Sequence, residues 1–456
     1  MGKRLLVAVE VVVAAALVSA AAARADNVGF VSVDGHAFEL NGRQYNFVGA
    51  NLWQGMNLGV DGPSGDRARL GRELDRLQAA GVTNLRVMAS SEGPDTEPYR
   101  MVPSLQPSRG VYNPEVFAGL DYLLDQMNQR DMRAVMVLNN YWHWSGGMAQ
   151  YVNWAGGGPI PYPGDWNTFM DYSAQFYAID DCQTWYQEHI HEVVNRLNPL
   201  TGTAYKDDPT ILAWELANEP RRFPADWIDT TAAYIKSLDP NHLVTTGFEG
   251  AMGAEDWLPG WEDRTFIQTH NGPDIDYATI HIWPQNWGWY DPTDPATYAA
   301  AEAQARAYFQ THEQQALNDL GKPMVLEEFG LARDGWTGPD YHDPAAPTSD
   351  RDAFYAAMFG EVYASASSGG AAAGDNFWAW GGEGRPSDPA PQWIGDPPHE
   401  TPGWYSVYDA DASTLAVISS HASAMQQLVI PEPGPPALLA LGLSGIVGLK
   451  RRTRAQ

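Results

Sequence analysis

Eight short apolar runs recur along the chain, and each one ends in polar or aromatic residues. Runs of this length between polar boundaries are typical of buried β-strands. The intervals that separate them are long enough to hold helices. The runs are Phe47–Trp53, Asn84–Ser90, Arg133–Asn140, Ile211–Pro220, Leu243–Gly250, Asp276–Trp283, Pro323–Gly330 and Asp375–Trp380.

Two intervals between these runs have the spacing of amphipathic helices, because their apolar residues recur at steps of three and four. Eight strands alternating with helices predict a single α/β domain, a (β/α)8 TIM barrel. A doubly wound open sheet would require a Gly-rich phosphate turn after an early strand, and none is present. The helical residues are Leu70, Leu74 and Leu77 in one interval and Val116, Leu120, Leu123 and Met127 in the other.

Two connections are long and rich in aromatic residues, from Tyr141 to Trp166 and from Gly381 to Asp411. Loops of this length in a compact domain are usually functional or disordered, and aromatic residues argue against disorder. Both follow predicted strands, so we expect them on one face of the barrel. A third aromatic cluster, Trp283, Trp287 and Trp289, directly follows the sixth run. Such rings pack against sugar faces, although some could simply close the barrel rim.

Two glutamates close apolar runs at the predicted catalytic face. Glu219 is followed by Pro220, and Glu328 is followed by Phe329-Gly330. In a barrel, carboxylates at strand ends lie where the chemistry takes place. Cleavage of a glycosidic bond requires two carboxyl groups, one to protonate the leaving oxygen and one to attack the sugar or activate water. The pair therefore indicates a glycosidase.

Composition narrows the choice of partners. The 56 acidic residues outnumber the 28 basic ones, and the formal net charge is −28. Such a chain repels nucleic acid and anionic membranes, so a neutral partner is expected. Cys182 is the only cysteine, which excludes an internal disulfide and a cysteine zinc site. We expect no cofactor and no catalytic metal, whereas the acids of residues 340–352 leave a structural calcium open.

The N-terminal residues 1–25 have the order of a signal peptide. Lys3 and Arg4 precede the apolar stretch from Leu5 to Ala23, and Ala23-Arg24-Ala25 has the pattern of a cleavage site. Residues 26–430 are then expected to form the catalytic domain.

The C-terminal residues 431–456 resemble the Pro-Glu-Pro sorting signals of some Gram-negative bacteria. Pro431-Glu432-Pro433 precedes an apolar stretch from Ala437 to Leu449 and a basic cluster at Lys450–Arg454. The apolar stretch is short for a membrane span, which usually needs about 20 residues. We expect transient retention at the inner membrane, cleavage by a processing protease, and release or attachment at the cell surface.

An ordered set of motifs makes the chain resemble the β-mannanase branch of glycoside hydrolase family 5. The resemblance covers nearly all of residues 28–427. Its most specific motifs are Asn84-Leu85-Arg86, Trp214 to Arg221, Ala278 to Pro284, Glu328-Phe329-Gly330, Asn376 to Gly382 and Gly395 to Ser406. It implies a retaining endo-acting hydrolase of β-1,4-linked mannan.

The resemblance also implies roles for individual residues. Glu219 would be the acid/base and Glu328 the nucleophile, which Arg86 would keep ionised. The remaining residues would bind substrate: Asn218 at the sugar 2-hydroxyl, His281 near the acid/base, Trp378 as the floor of the −1 subsite, and also Trp53, Asn140, His143 and Trp283.

Two positions depart from the family pattern. The usual tyrosine that hydrogen-bonds the nucleophile is Trp283 here, so an indole N–H substitutes or the contact is lost. The third-strand histidine is replaced by Asn139-Asn140, and His143 follows in the loop. His143 is therefore either a site residue or a solvated loop histidine.

Two other acids lie close in sequence to the predicted pair. Adjacent side chains of a strand face opposite sides, so only one of Glu327 and Glu328 is expected to point into the site, and the motif favours Glu328. Glu215 precedes Glu219 on the same strand and is expected to be a buried, paired acid.

The predicted protein is a secreted, monomeric endo-β-1,4-mannanase whose partner is galactomannan or glucomannan. Two alternatives remain. An endo-β-1,4-glucanase of the same family would share the catalytic set, and a noncatalytic glycan-binding surface protein could have kept the barrel.

Overall fold

The computed structural model describes residues 29–224, 226–250, 265–335, 343, 345–386 and 393–428. The predicted signal peptide and sorting tail lie outside these residues, as does part of the 340–352 segment. No helix in the described ranges is long and apolar enough to cross a membrane.

A three-stranded antiparallel sheet, β1 (Ser32–Asp34), β2 (Ala37–Leu40) and β3 (Arg43–Tyr45), precedes the barrel. Phe38 of this sheet packs with Phe47, Val135, Leu212 and other residues at the start of the barrel strands. The sheet therefore covers the amino-terminal end of the barrel, and the opposite end is left for the site.

Eight parallel strands form the barrel, and each corresponds to one of the predicted apolar runs. The (β/α)8 prediction is confirmed. The strands are β4 (Phe47–Asn51), β5 (Asn84–Met88), β6 (Arg133–Val137), β7 (Ile211–Glu215), β8 (Leu243–Thr245), β9 (Ala278–Ile282), β10 (Met324–Phe329) and β11 (Ala372–Phe377). A short parallel pair, β12 (Trp380–Gly382) and β13 (Val407–Tyr408), follows them.

In the part of the chain that the structure describes, eleven α-helices accompany the strands. The two helices predicted from spacing are present, and their predicted apolar residues are all buried. Asp66 caps the first of them by accepting a hydrogen bond from Arg69 N at 2.8 Å. The helices are α1 (Gly55–Leu58), α2 (Arg67–Ala79), α3 (Pro114–Asn128), α4 (Gly147–Val152), α5 (Trp166–Ala174), α6 (Asp180–Val194), α7 (Trp227–Leu238), α8 (Phe266–His270), α9 (Tyr298–Gln315), α10 (Ser349–Ser368) and α11 (Ala412–Gln426).

The barrel closes between β11 and β4, whereas β8 and β9 form no ladder. Separate hydrogen bonds cross this seam instead. Asp276 N donates to Val244 O at 2.8 Å, and His281 N donates to Glu249 O at 2.9 Å. The Asp276 carboxylate also accepts a hydrogen bond from Val244 N at 2.6 Å. These bonds keep β9, and with it His281, in place beside β8.

Candidate active site

The carboxyl ends of four barrel strands bring together the two predicted catalytic glutamates and two of the predicted substrate-binding residues. Arg86 lies on β5, His281 on β9 and Glu328 on β10, while Glu219 follows β7. All four are buried. Glu219 has a φ of +46°, and such a conformation costs a non-glycine residue about 1–3 kcal/mol. A hydrogen bond from Glu219 N to Gly247 O (3.0 Å) holds the backbone there.

His281 stands between the two glutamates. Its Nδ1 atom lies 2.8 Å from Oε1 of Glu219 and 3.3 Å from Oε2 of Glu328. One oxygen of each carboxyl group lies within 4.8 Å of the other. A single imidazole nitrogen therefore contacts both carboxyl groups.

The guanidinium group of Arg86 binds the carboxylates beneath the site. It donates two hydrogen bonds to Glu215, at 2.7 and 2.5 Å. It also donates to Glu328, to Asn51 at 3.1 Å and to Asn218 at 2.8 Å. Because Glu215 is fully buried and bound by two hydrogen bonds, its predicted role as a paired acid is confirmed.

Glu219 has a second donor, which the sequence did not indicate. The indole Nε1 of Trp142 donates to Oε2 of Glu219 at 2.7 Å. The Trp142 ring stacks on Phe169, with centroids 6.2 Å apart, and Arg221 lies over it at 4.7 Å. Arg221 is itself in an ion pair with Glu249. Both oxygens of Glu219 therefore have fixed partners.

The expectation that only one of Glu327 and Glu328 points inward is wrong. The pairing of β10 with β9 shifts register between Leu326 and Glu328, which is a β-bulge. The extra residue cancels the usual alternation, so both glutamates face the barrel interior. Glu327 is fully buried. Its Oε2 lies 3.7 Å from His281 Nε2, and its Oε1 lies 3.8 Å from Arg86 Nε.

Asn218 and Asn140 are joined where β7 and β6 end. The amide of Asn218 donates to Asn140 Oδ1 at 3.1 Å. Asn140 also donates to Ser145 Oγ at 3.0 Å and accepts a hydrogen bond from Trp142 N at 3.0 Å. Asn140 thus positions both Asn218 and the loop that carries Trp142.

Trp283 and Trp378 pack edge to face, with centroids 5.9 Å apart, and Trp283 also packs on Tyr405 at 4.9 Å. In the described residues, the side chain that hydrogen-bonds Glu328 is Arg86 and not the Trp283 indole. The contact made by the family's usual tyrosine is therefore lost. Within the same residues, the buried Trp378 Nε1 has no hydrogen-bond partner.

Trp53 and His143 lie apart from the central group. The Trp53 indole donates to Gly395 O at 2.7 Å, and the side chain is only 3% exposed, so it supports a loop. His143 is fully buried, with its ring 5.7 Å from Tyr99 and 5.2 Å from His399. Burial lowers the pKa of His143 to about 2. It is thus a neutral buried histidine, and the alternative of a solvated one is wrong.

The family model described as glycoside hydrolase family 5 β-mannosidase-like matches residues 28–429. The chain belongs to glycoside hydrolase family 5. Among related proteins, mannan endo-1,4-β-mannosidase 5 of Solanum lycopersicum is 34% identical over 368 residues, covering 78% of this chain and 81% of the relative. Mannan endo-1,4-β-mannosidase 7 of Arabidopsis thaliana is 34% identical over 366 residues, covering 77% of each chain.

Solved structures extend the comparison for this family 5 hydrolase. A family 5 mannosidase from Rhizomucor miehei is 43% identical, with a TM-score of 0.82, and the match covers 88% of this chain and 98% of that one. An endo-1,4-β-mannanase from the same organism is 26% identical, with a TM-score of 0.65, covering 87% and 99%.

The electrostatics of the family 5 site depend on His281. Burial lowers the pKa of His281 to about 4, against the hydrogen bond with Glu219. Burial raises the pKa of Glu328 to about 8, against the charge of Arg86. Burial alone would raise the pKa of Glu219. The hydrogen bond and the charge of His281 outweigh burial, so the pKa of Glu219 is lowered to about 2. The charge of Arg221 and the hydrogen bond from Trp142 also lower the pKa of Glu219.

Two further residues of the hydrolase lie near the site and were not predicted individually. The charge of Glu219 acts on His399, and the charges of Glu219 and Glu328 both act on Glu400. Within the described residues, buried His399 Nδ1 and Glu400 Oε2 have no hydrogen-bond partner. Both lie in the segment Gly395–Ser406. The resemblance of that segment to the family was the one feature of the sequence that could have indicated them.

Glu219, His281 and Glu328 are close enough that their ligand atoms could also surround a metal ion. The existing partners favour hydrolysis instead. Arg86 donates a hydrogen bond to one oxygen of Glu328, and Trp142 donates one to an oxygen of Glu219. Arg86 also places a positive charge beside the position that a cation would take.

Proposed function

We propose that this family 5 hydrolase is an exported endo-β-1,4-mannanase that retains the anomeric configuration. The plant relatives named above support the substrate. The spacing of Glu219 and Glu328, with their nearest oxygens within 4.8 Å, carries the mechanism. Retaining enzymes hold their carboxyl groups about 5–5.5 Å apart, whereas inverting enzymes leave about 6.5–9.5 Å for a water molecule.

In the proposed reaction Glu328 attacks the anomeric carbon while Glu219 gives its proton to the leaving glycosidic oxygen. Water then attacks the glycosyl–enzyme ester and returns a proton to Glu219. The first step requires that the charge of the pair rest on Glu328 and the proton on Glu219 at the start, whereas the second step begins with Glu219 ionised so that it can take a proton from water.

With a pKa of about 2 for Glu219 and about 8 for Glu328, the proton would lie on Glu328 and not on Glu219. The low pKa of Glu219 depends chiefly on the hydrogen bond and the charge of His281, which outweigh burial. Above about pH 4 the imidazole is neutral. The charge of Arg86 then still favours the ionised form of Glu328. The charge of Arg221, beside Glu219, is paired with Glu249 instead. We therefore assign the proton to Glu219 at the working pH.

The other predicted residues fit around a sugar in the −1 subsite. Asn218 can reach the 2-hydroxyl if its amide exchanges the bond to Asn140 for one to substrate, since its oxygen is bound by Arg86. The Trp378 face and its unpaired indole N–H would form the floor. Trp283 would extend that floor, and Trp53 and His143 would act by supporting the loops.

The test compares mannan with carboxymethyl cellulose for the mature protein, by reducing ends and by viscosity. An endo-mannanase lowers the viscosity of mannan well before most reducing ends appear. Activity on cellulose alone would identify a glucanase, and binding without hydrolysis a glycan-binding protein. Glu328→Gln, which keeps the shape of the side chain, is the inactive control.

An exo-acting β-mannosidase is the second candidate, because the solved mannosidase from Rhizomucor miehei is 43% identical over nearly its whole length. Release of mannose from chain ends with no early fall in viscosity would favour this candidate.

Export and sorting are also proposed, with a processing protease as partner and a monomer as the released form. Mass spectrometry of protein from the native host tests this. We expect mature protein to begin near Asp26 and to end near Pro431-Glu432-Pro433. An intact Gln456 on extracellular enzyme would show that the tail is not a sorting signal.

A further inference from the structure

The barrel interior beneath the site holds more acid than its bases can neutralise. Glu215, Glu327 and Glu328 are each at most 3% exposed, and Arg86 is the cation that contacts all three. An ionised carboxylate buried without a compensating charge is very unfavourable, so such groups take up protons instead. At least one of these carboxyl groups should therefore be neutral.

The groups around Glu327 show where that proton belongs. They are Glu215 from β7, Arg86 from β5, His281 from β9, Tyr277 directly before β9, and Glu328 beside it on β10. Burial and then the charge of Glu215 raise the pKa of Glu327, so the two carboxyl groups are close neighbours, and neither oxygen of Glu327 has a hydrogen-bond partner within the described residues. An ionised carboxylate can only accept, so these neighbours can form a hydrogen bond with each other only when one of them carries a proton.

Arg86 decides between the two acids. It makes two hydrogen bonds to Glu215, whereas its nearest approach to Glu327 is 3.8 Å, which is too long for one. The negative charge therefore rests on Glu215 and the proton on Glu327. Burial, followed by the charge of Glu215, raises the pKa of Glu327 well above its ordinary value, in agreement with this assignment.

We propose that Glu327 is a positioning residue, a neutral carboxylic acid that sets the tautomer of His281 and thereby keeps the catalytic proton on Glu219. Its O–H donates to Glu215, which leaves its carbonyl oxygen facing His281 Nε2 at 3.7 Å. A carbonyl can only accept, so Nε2 carries the imidazole hydrogen and Nδ1 has a lone pair. Nδ1 then accepts a hydrogen bond from the protonated carboxyl group of Glu219 across the 2.8 Å contact.

This inference rests on the proposed function. It adds Glu327 to the site as a fifth residue beside Arg86, Glu219, His281 and Glu328. An ionised Glu327 would instead favour a protonated His281, which would donate from Nδ1 and leave Glu219 ionised. A small approach of two atoms that now lack partners, His281 Nε2 and Glu327 Oε2, completes the chain of hydrogen bonds. The bulge in β10 is what makes the arrangement possible.

Glu327→Gln and Glu327→Leu separate this role from a structural one. Glutamine reproduces the neutral acid, because its amide donates to Glu215 and its carbonyl accepts from His281. We expect kcat/KM of Glu327→Gln to change by less than about threefold, with both limbs of the pH profile in place. A shift of either limb by about one pH unit or more would show a charged Glu327 and overturn the proposal.

Leucine at position 327 can form neither the hydrogen bond to Glu215 nor the one from His281. We expect Glu327→Leu to lose at least about tenfold more activity on phenyl β-mannobioside, whose leaving group needs the acid, than on dinitrophenyl β-mannobioside. Equal losses on both substrates would mean a structural role only. Glu215→Gln is the matched control, because it removes a real charge and should lower activity on both.

Infrared spectroscopy of the protein without substrate tests the protonation independently of activity. The carbonyl-stretch band of protonated carboxylic acids at neutral pH should be weaker in Glu327→Gln than in the wild type by the contribution of one group. An unchanged spectrum would overturn the proposal, while failure of the wild type to cleave mannan would contradict only the proposed function.

Discussion

Replacing Trp142 by phenylalanine removes one donor from the proposed acid/base and little else. The indole N–H donates to Glu219 at 2.7 Å. Phenylalanine keeps an aromatic ring against Phe169 and beneath Arg221. The packing is thus largely preserved while one oxygen of Glu219 loses its partner.

The expected size of the effect follows from the kind of hydrogen bond. A hydrogen bond to a charged group contributes about 1.5–3 kcal/mol, and one pKa unit corresponds to about 1.4 kcal/mol. The bond is stronger when Glu219 is ionised, so its loss should raise the pKa of Glu219 by about 1–2 units. Glu219 would then hold its proton to higher pH, and it would also be a weaker acid.

The assay is kcat/KM as a function of pH on a soluble mannooligosaccharide. The basic limb, which reports loss of the proton from Glu219, should move up by at least about one pH unit. Trp166→Phe is the control, because Trp166 packs on the Trp142 ring at 5.5 Å without bonding Glu219. A basic limb that stays in place or moves down in Trp142→Phe would refute the reasoning.

Three further predictions address the mechanism and stability. Glu328→Ala with added azide should yield a glycosyl azide of inverted configuration, and Glu219→Ala the retained β-azide on substrates with good leaving groups; NMR showing the reverse would exchange the two roles. Trp378→Ala should lower kcat more than it raises KM, because the −1 sugar distorts in the transition state; a change in KM alone would place the ring at an outer subsite. Burial raises the pKa of Glu92 to about 8, so the stability of its neutral form is present below its ordinary pKa and is lost as pH rises through about 8. Glu92→Gln, which keeps an acceptor for Gly147 N, should therefore raise Tm at alkaline pH more than at acidic pH, and an equal effect at both would contradict the assignment.

The barrel and the central pair could be predicted because both depend on short-range patterns. Each apolar run marks a strand, and parallel strands deliver their last residues to one rim, so Glu219 and Glu328 had to lie near one another. Arg86 was placed by the same reasoning together with the family resemblance.

The remaining partners depend on features that alternation and spacing do not show. Glu327 faces inward because of a bulge in β10, and a bulge changes the register without a distinctive residue pattern. Trp142 reaches Glu219 only through the folding of the long loop that Asn140 and Ser145 anchor. The hydrogen bond from the Trp53 indole to Gly395 O likewise depends on loop folding, and the role of Trp53 in substrate binding stays a prediction.

The seam between β8 and β9 gives the barrel an uneven resistance to local opening. Strands β5 to β7 are hydrogen-bonded along both edges, whereas β8 is held along one edge and by scattered bonds along the other. Amide hydrogens near the seam should then exchange with solvent at a lower free energy than those of the central strands. His281 lies on the far side of this seam, so mild denaturant should disconnect the imidazole from Glu219, and stop turnover, before the barrel as a whole unfolds.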